Sequence, residues 1–463
     1  MRRPSGKPPR TRRRPQPDSI EIEVDRLDEE GLAVGRHGGK EVLVTGALPG
    51  ERIKVAIEHQ GQRRMVGLLQ QVLRPAADRI KPACPCAAAC QSCSLIHMDY
   101  DAQLRFKEDK VRNALSGRPA LADARQLPIW RAPQPLGYRT NAKLVLAKQH
   151  GKLRIGLYRR GSHEVVDIGD CPLHHPLINR IVQVLREEIA RQDIYLYNPM
   201  SGRGLLRYLL IRVSPGLNRA MVTLVTGERD FRRIPQLAKW LQRKVPEVVA
   251  VHQNINSSAG NVIFGRETIR VLGAEDLFDQ VGDVRLRISP GAFFQVNHDQ
   301  AARIYELVRQ WAAPGPQDWA LDLYCGIGGI ALHLARHAGK VIGIEVVEEA
   351  VRNARQNAAL NGLGNCVFRA GDAAELIHDL HTEVPPGSVA VLNPPRSGCD
   401  PQVLEELAGL ACRSLVYVSC NPDTLARDLG LLAGFGYRTL ELQPVDMFPQ
   451  TGHVETVARL VRK

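Results

Sequence analysis

Alternation of apolar and polar residues marks the first ordered stretch of the chain. "SIEIEV" (19–24) alternates with period two, "EVLVTGALPGERIKVAI" (41–57) reads as two strands across a Leu-Pro-Gly turn, and "MVGLLQQVL" (65–73) adds another. Short strands, glycine turns and no helical period predict a small β-barrel over 18–78, an architecture that often holds nucleic acid. Residues 79–275 mix a helical pattern, "YDAQLRFKEDKVRNAL" (100–115), with strand patterns such as "AKLVLAK" (142–148), "LRIGLYRR" (153–160) and "LLRYLLIRVS" (205–214), and predict a central β-rich domain. The remainder, 276–463, settles into strand–loop–helix alternation from about residue 285, which implies a doubly wound α/β sheet. Its strands are expected in "WALDLYCGIGG", "KVIGIEVV", "CVFRAGD", "VAVLNPPRSG" and "LVYVSCNP", with "YRTLELQPVDMF" and "HVETVARLVR" closing the sheet as a hairpin.

Composition adds a partner class. The 463 residues hold 62 basic and 49 acidic side chains, a net +13, which favours a polyanion. Residues 1–17 form a proline-rich basic tail without an apolar segment, so they are not a secretory signal. The tail reads equally as a disordered solubiliser and as a phosphate-grabbing arm. No segment approaches the apolar length of a membrane span. Ten cysteines in a chain without an export signal argue against a disulfide framework and for a cytoplasmic protein.

The loop "CGIGGIA" opens a helix, where backbone N–H groups and the positive helix end meet a ligand. Gly326, Gly328 and Ala331 fit a dinucleotide pattern, and Glu345 lies near the spacing of a ribose-binding acid. Asp322 on the first strand suits the cationic methionine end of S-adenosylmethionine better than a pyrophosphate. Later strands end in Asp372 and Asn393, placed to meet a base edge. "NPPR" resembles the strand-end signature of amino-group methylation, but Arg396 stands where a stacking aromatic would be needed.

At the fifth strand end sits Cys420. A cysteine there is packing, a metal ligand or a nucleophile facing the crevice where open α/β sheets bind ligands. Carbon 5 of a pyrimidine becomes nucleophilic once a thiolate adds to carbon 6, and a base must then remove the C5 proton. Cys420 has the place for the thiolate, and the helix that follows is expected to lower its pKa. Glu455 in "GHVETVARL" is the candidate base, against the alternative of an ordinary strand acid.

The motifs "SPGAFFQVN", "LDLYCGIGG", "LNPPRSG", "YVSCNPDTLARDL" and "DMFPQTGHVETV" resemble, in order, those of the bacterial RNA uracil-C5 methyltransferases. The β-rich start with "GALPGERI" looks like their TRAM domain. The resemblance implies a C-terminal Rossmann-like methyltransferase domain, with Cys420 as nucleophile and Glu455 as base. It also implies cofactor contacts at Gln295, Tyr324, Gly329, Glu345, Asp372 and Asn393. The family commonly has Asp at the position of Asn393 and often Asn at that of Gly329. TRAM domain and cysteine cluster together resemble the 23S rRNA branch, which implies uridine 1939 as target and a monomeric enzyme. The tRNA uracil-54 enzymes are expected to lack both features.

Cys84, Cys90 and Cys93 have C-x5-C-x2-C spacing, and Cys171 follows in "GDCPLHHP". Four thiolates suit a [4Fe–4S] cluster or structural zinc, the latter with His174 or His175. The resemblance implies the [4Fe–4S] cluster. Cys86 completes a C-x3-C-x2-C spacing seen in radical enzymes. The β/α barrel such enzymes need is missing, so Cys86 reads as a spare thiol. Arg139, Lys143 and Arg207 are candidates for the RNA-facing surface, against solvated-face charges. Two functions therefore stand: methyl transfer to C5 of an RNA uridine, in 23S rRNA or another rRNA or tRNA, and an RNA-binding protein with an inert methyltransferase domain.

Overall fold

A computed structural model describes residues 19–198, 201–258, 260 and 262–463. The basic tail lies outside the described residues. Contacts divide the chain into two compact units, 1–81 and 82–463.

The first unit is a closed five-stranded barrel. Its strands are β1 (Ser19–Leu27), β2 (Ala33–His37), β3 (Lys40–Val44), β4 (Arg52–Gln60) and β5 (Arg64–Arg74). The alternation seen in the sequence points Ile22, Val24, Val42, Val44, Ile53 and Val55 inward, and charged neighbours outward. Gly67 has a reason to lack a side chain: a Cβ there would lie 2.1 Å from Val55 Cγ1.

The second unit begins with the cysteine segment and its short helix α1 (Ala87–Cys90). Then come α2 (Tyr100–Leu115) and the two-residue strand β6 (Arg125–Gln126). A seven-stranded sheet follows, built from β7 (Asn141–Gln149), β8 (Lys152–Tyr158), β9 (Val165–Asp167), β10 (Leu206–Ser214), β11 (Arg219–Thr226), β12 (Val248–Ile255) and β13 (Glu267–Gly273). Helices α3 (Pro176–Arg191) and α4 (Ile234–Lys244) share one apolar core with it, filled by Ile181, Leu185, Leu237 and Leu241. A hairpin of β14 (Leu277–Val281) and β15 (Val284–Ile288) leads out.

Helix α5 (His298–Ala312) then opens the alternating region. It contains β16 (Trp319–Leu323), α6 (Gly329–Ala335), β17 (Lys340–Glu345), α7 (Glu348–Leu360), β18 (Cys366–Ala370) and α8 (Ala373–Asp379). It continues with β19 (Val389–Leu392), α9 (Pro401–Gly409), β20 (Ser414–Ser419), α10 (Pro422–Gly434), β21 (Tyr437–Val445) and β22 (Glu455–Arg462). The strand order is β18-β17-β16-β19-β20-β22-β21-β6. Strands β16 to β20 pair in parallel, which explains their nearly unbroken apolar runs, and the final hairpin closes antiparallel as expected. One segment departs from the expected division. Strand β6 pairs with β21, and Trp130 N donates to Pro444 O at 2.9 Å, so residues near 125–130 extend the C-terminal sheet and not the central one.

Candidate active site

Parallel strands put all their carboxyl ends on one edge, and five of them deliver the expected residues there. Strand β16 ends before Tyr324, β17 at Glu345, β18 shortly before Asp372, β19 before Asn393 and β20 before Cys420. Tyr324 turns the chain with φ of 65°, a left-handed backbone that a tyrosine adopts only where its surroundings impose it. Gly326 and Gly328 also have positive φ, and a Cβ on Gly328 would lie 3.3 Å from Ala354 and Phe368.

Glu345 braces this loop. Its Oε2 accepts from Gly326 N at 3.0 Å and its Oε1 from Val347 N at 2.9 Å, leaving further lone pairs for a ligand hydroxyl. Asp322 is fully buried; Oδ2 accepts from Ala331 N at 2.8 Å, while Oδ1 has no partner. Burial pushes its pKa up to about 7, with Glu345 adding to the rise. A buried carboxylate oxygen without a donor fits a cationic ligand group, as S-adenosylmethionine would bring. Asp372 caps α8 through Ala374 N, and Asn393 N donates to Leu323 O, holding the fourth strand end against the first. Gln295 lies on the loop between β15 and α5, where its carbonyl accepts from Thr140 Oγ1. Gly329 is buried, and a Cβ there would approach Tyr305 Oη to 2.9 Å. Tyr305 thus fills the space that an asparagine would need, and any ligand contact of Gly329 is confined to its backbone.

Antiparallel register brings Cys420 to Glu455. Ser419 pairs with Thr456 across β20 and β22, and the next residue outward on each strand is Cys420 and Glu455. Glu455 is only 4% exposed, and burial raises its pKa to about 7 against the lowering effect of Arg396. Cys420 is half-buried. Burial and the charge of Glu455 raise its pKa above the ordinary thiol value, while Arg396 lowers it by charge and by a hydrogen bond. Burial and the neighbouring acid thus act against the lowering expected from the following helix. Arg396, read from the sequence only as a missing aromatic, is the cation of this site. Its carbonyl accepts from Asn421 Nδ2 at 3.2 Å and Thr424 Oγ1 at 3.3 Å, which ties it to the turn that carries Cys420.

The cysteines of the N-terminal segment converge differently. Cys84, Cys86, Cys90, Cys93 and Cys171 line one cavity of about 490 Å³, together with Arg139 and His174. Among the described residues no group of three or more His, Cys, Asp or Glu is drawn together tightly enough to hold a single metal ion. The expected metal site is thus not supported as a formed centre. The thiols line the wall of this cavity instead. Burial raises Cys93 to about 12 and Cys84 to about 11, with the neighbouring thiols adding to both. His175 is used elsewhere, its Nδ1 accepting from Leu177 N to cap α3. Burial lowers His174 to about 4. Cys86 donates to Asp167 O at 3.6 Å.

Of the three expected RNA-facing cations, Arg207 is misplaced. It is 4% exposed, donates to Asn256 O and Ser258 O, and lies 4.1 Å from the Tyr197 ring centre, so it pins a loop.

A family model described as tRNA (Uracil-5-)-methyltransferase matches residues 99–463. An uncharacterized RNA methyltransferase of Geobacter sulfurreducens is 49% identical over 96% of this chain and 90% of its own length. The chain belongs to the uracil-5 RNA methyltransferase family. It is an S-adenosylmethionine-dependent RNA methyltransferase in that sense. A second family relative, an uncharacterized RNA methyltransferase of Caldanaerobacter subterraneus, is 37% identical over 96% of this chain and 98% of its own. Among solved structures, the Pyrococcus abyssi tRNA (uracil-54, C5)-methyltransferase in complex with S-adenosyl-L-homocysteine has a TM-score of 0.76 at 28% identity. It covers 95% of this chain and 99% of its own. That coverage leaves too little of the chain unmatched to omit the barrel. The expectation that tRNA uracil-54 enzymes lack the barrel is therefore corrected for this archaeal enzyme.

Proposed function

We propose that this protein methylates C5 of one uridine in 23S rRNA through a covalent enzyme–RNA adduct. The observation that carries the chemistry is the pairing of Cys420 with the buried Glu455 at the edge where the glycine loop lies. S-adenosylmethionine, once bound, supplies an electrophilic methyl group. Gln295, Tyr324, Gly329 (by its backbone), Glu345, Asp372 and Asn393 would hold it. Cys420 Sγ adds to C6 of the uracil, and the resulting enolate would direct its electron pair from C5 to the methyl group, whose bond to the donor's sulfonium sulfur breaks with the pair left on sulfur as a neutral thioether. Glu455 then takes the C5 proton; the C5–C6 double bond re-forms as the S–C6 bond breaks, and Cys420 is regenerated. A base with a pKa of about 7 is matched to that proton transfer near neutral pH. Because Cys420 is held above the ordinary thiol range, Arg396 is the charge that stabilises its thiolate during addition.

An RNA carrying 5-fluorouridine at the target should trap the enzyme covalently, since fluorine does not leave as a proton does. Cys420→Ala should abolish both trapping and methyl transfer while RNA still binds. Retained methyl transfer would return Cys420 to a packing role.

The rRNA target rests on the resemblance carried by the cysteine segment. Uridine 54 of tRNA is the second reading, favoured by the full-length likeness to the archaeal enzyme. Mapping 5-methyluridine lost from both RNAs in a deletion strain decides between them. The four cysteines Cys84, Cys90, Cys93 and Cys171 would hold a [4Fe–4S] cluster with a structural part and no step in methyl transfer. Anaerobically purified protein should then contain about four irons per chain. Stoichiometric zinc without iron would overturn the cluster.

A further inference from the structure

The central sheet has one face covered by α3 and α4 and another that carries charge. Ala142, Leu144, Leu209, Ile211, Val222 and Leu224 fill the covered face. Period two then sends Asn141 and Lys143 on β7, Arg212 on β10 and Thr223 on β11 to the opposite side. Register completes the grouping: Asn141 pairs with Arg212, and Leu210 pairs with both Lys143 and Thr223. These four polar side chains line a cavity of about 120 Å³, walled by Phe264 and by Phe293, which is 73% exposed.

The cavity has more positive than negative charge. The Lys143 side chain has no hydrogen-bond or ion-pair partner among the described residues; burial lowers its pKa, and the charges of Arg212 and Arg139 lower it further. Arg212 donates only to backbone, to Ser289 O at 3.0 Å and Ala292 O at 2.5 Å. Glu349 is the acid whose charge reaches Arg212, and it already accepts from Ser289 Oγ at 2.6 Å. Two cations, Lys143 and Arg212, thus line the cavity, and none of its lining residues is an acid. Polar walls with unspent donors and excess positive charge suit an anion with several acceptor oxygens.

We propose that this cavity is a phosphate-binding pocket that takes one phosphodiester group of the RNA strand, with Lys143 as its direct partner and Arg212 as a fixed background charge. The proposal rests on the reading of RNA as substrate, and not on the C5 chemistry.

The test uses the full chain and a single-stranded oligoribonucleotide, with affinity measured against salt concentration. Lys143→Gln should weaken binding and make the log–log salt slope shallower by about 0.7, the value for one lost single-strand phosphate contact. Lys143→Arg should keep the wild-type slope, and S-adenosylmethionine affinity should be unchanged in both. Inorganic phosphate at constant ionic strength should compete with RNA in the wild type and less in Lys143→Gln. An unchanged salt slope in Lys143→Gln overturns the proposal, even where inorganic phosphate binds, because the pocket then serves free phosphate. Weakened cofactor binding with an unchanged RNA slope also overturns it, and assigns the cavity to the cofactor carboxylate. These are binding measurements. A slope change in an enzyme that methylates no uridine would leave the pocket standing and sink the proposed reaction.

Discussion

Two buried carboxyls set the behaviour of single residues here. Glu455 and Asp322 both have pKa values raised to about 7 by burial. An acid raised in the folded state binds its proton more tightly there than in the unfolded chain. The stability this gives is complete below the ordinary pKa of about 4 and is lost as pH rises through about 7. The ligand-free enzyme is therefore expected to unfold more easily at pH 8 than at pH 5.5, and Glu455→Gln should flatten part of that slope in denaturant titrations. Activity has the opposite sign, because the base must be ionised: release of methylated product should rise with pH through about 7. In Glu455→Gln, addition and methylation should proceed while elimination stalls, so a methylated enzyme–RNA adduct accumulates on a denaturing gel. A fully active Glu455→Gln enzyme would remove that residue from the mechanism. The positions of Cys420 and Glu455 were readable from the sequence, because strand ends and motif spacing are local. The direction of the Cys420 shift was not, because it depends on burial and on a residue 35 positions away. Arg207 failed for the same reason: charge suggests a surface, and only packing reveals that this guanidinium is enclosed by backbone carbonyls and tyrosines.

At the scale of elements, the loop between β21 and β22 hangs on α2. Lys107 and Asp446 are both fully buried and form an ion pair at 2.5 Å; Lys107 also donates to Phe448 O, and Tyr100 Oη donates to Asp446 Oδ2 at 2.8 Å. Gln103 bridges Leu95 O, Met98 O and Gln450, so the segment that follows the cysteines is tied to the same loop. A buried pair adds little net stability, yet removing one partner leaves the other charged and dry. Lys107→Met should cost about 3–5 kcal/mol in chemical denaturation, and Lys107→Met combined with Asp446→Asn should recover a large part of it. A single variant as stable as wild type would show that water reaches Asp446. Element boundaries such as Tyr100–Leu115 were legible because helical period runs through them without interruption. The attachment of α2 and β6 to the C-terminal sheet was not. A two-residue strand has no period, and the partners of Lys107 lie more than 300 residues away.

For the whole molecule, the +13 charge has to be located before it explains RNA binding. On the barrel, much of it is already spent within the unit: Arg26 and Arg64 pair with Glu41, Arg52 with Glu21, and Arg74 with Glu23. Exposed pairs of this kind are each worth about 0–1 kcal/mol, so a phosphate could displace a glutamate, but with little net gain in charge. Arg36, Lys54 and Arg63 have no side-chain partner among the described residues and are the barrel cations free to meet phosphate. The tail of residues 1–17 adds seven more basic groups. If tail and barrel both bind phosphate, their contributions to the salt slope add. Removing residues 1–17 should flatten it by about 0.7 per lost single-strand contact, and neutralising Arg36, Lys54 and Arg63 to glutamine by about 2 units for three such contacts. Neutralising Arg26, Arg52, Arg64 and Arg74 should change it far less, since each removal also frees an acid. A truncated chain with an unchanged slope would make the tail a solubiliser. A slope that responded to the paired arginines as strongly as to the free ones would mean that RNA binding opens the barrel's ion pairs, and that the whole basic surface acts as one phosphate track.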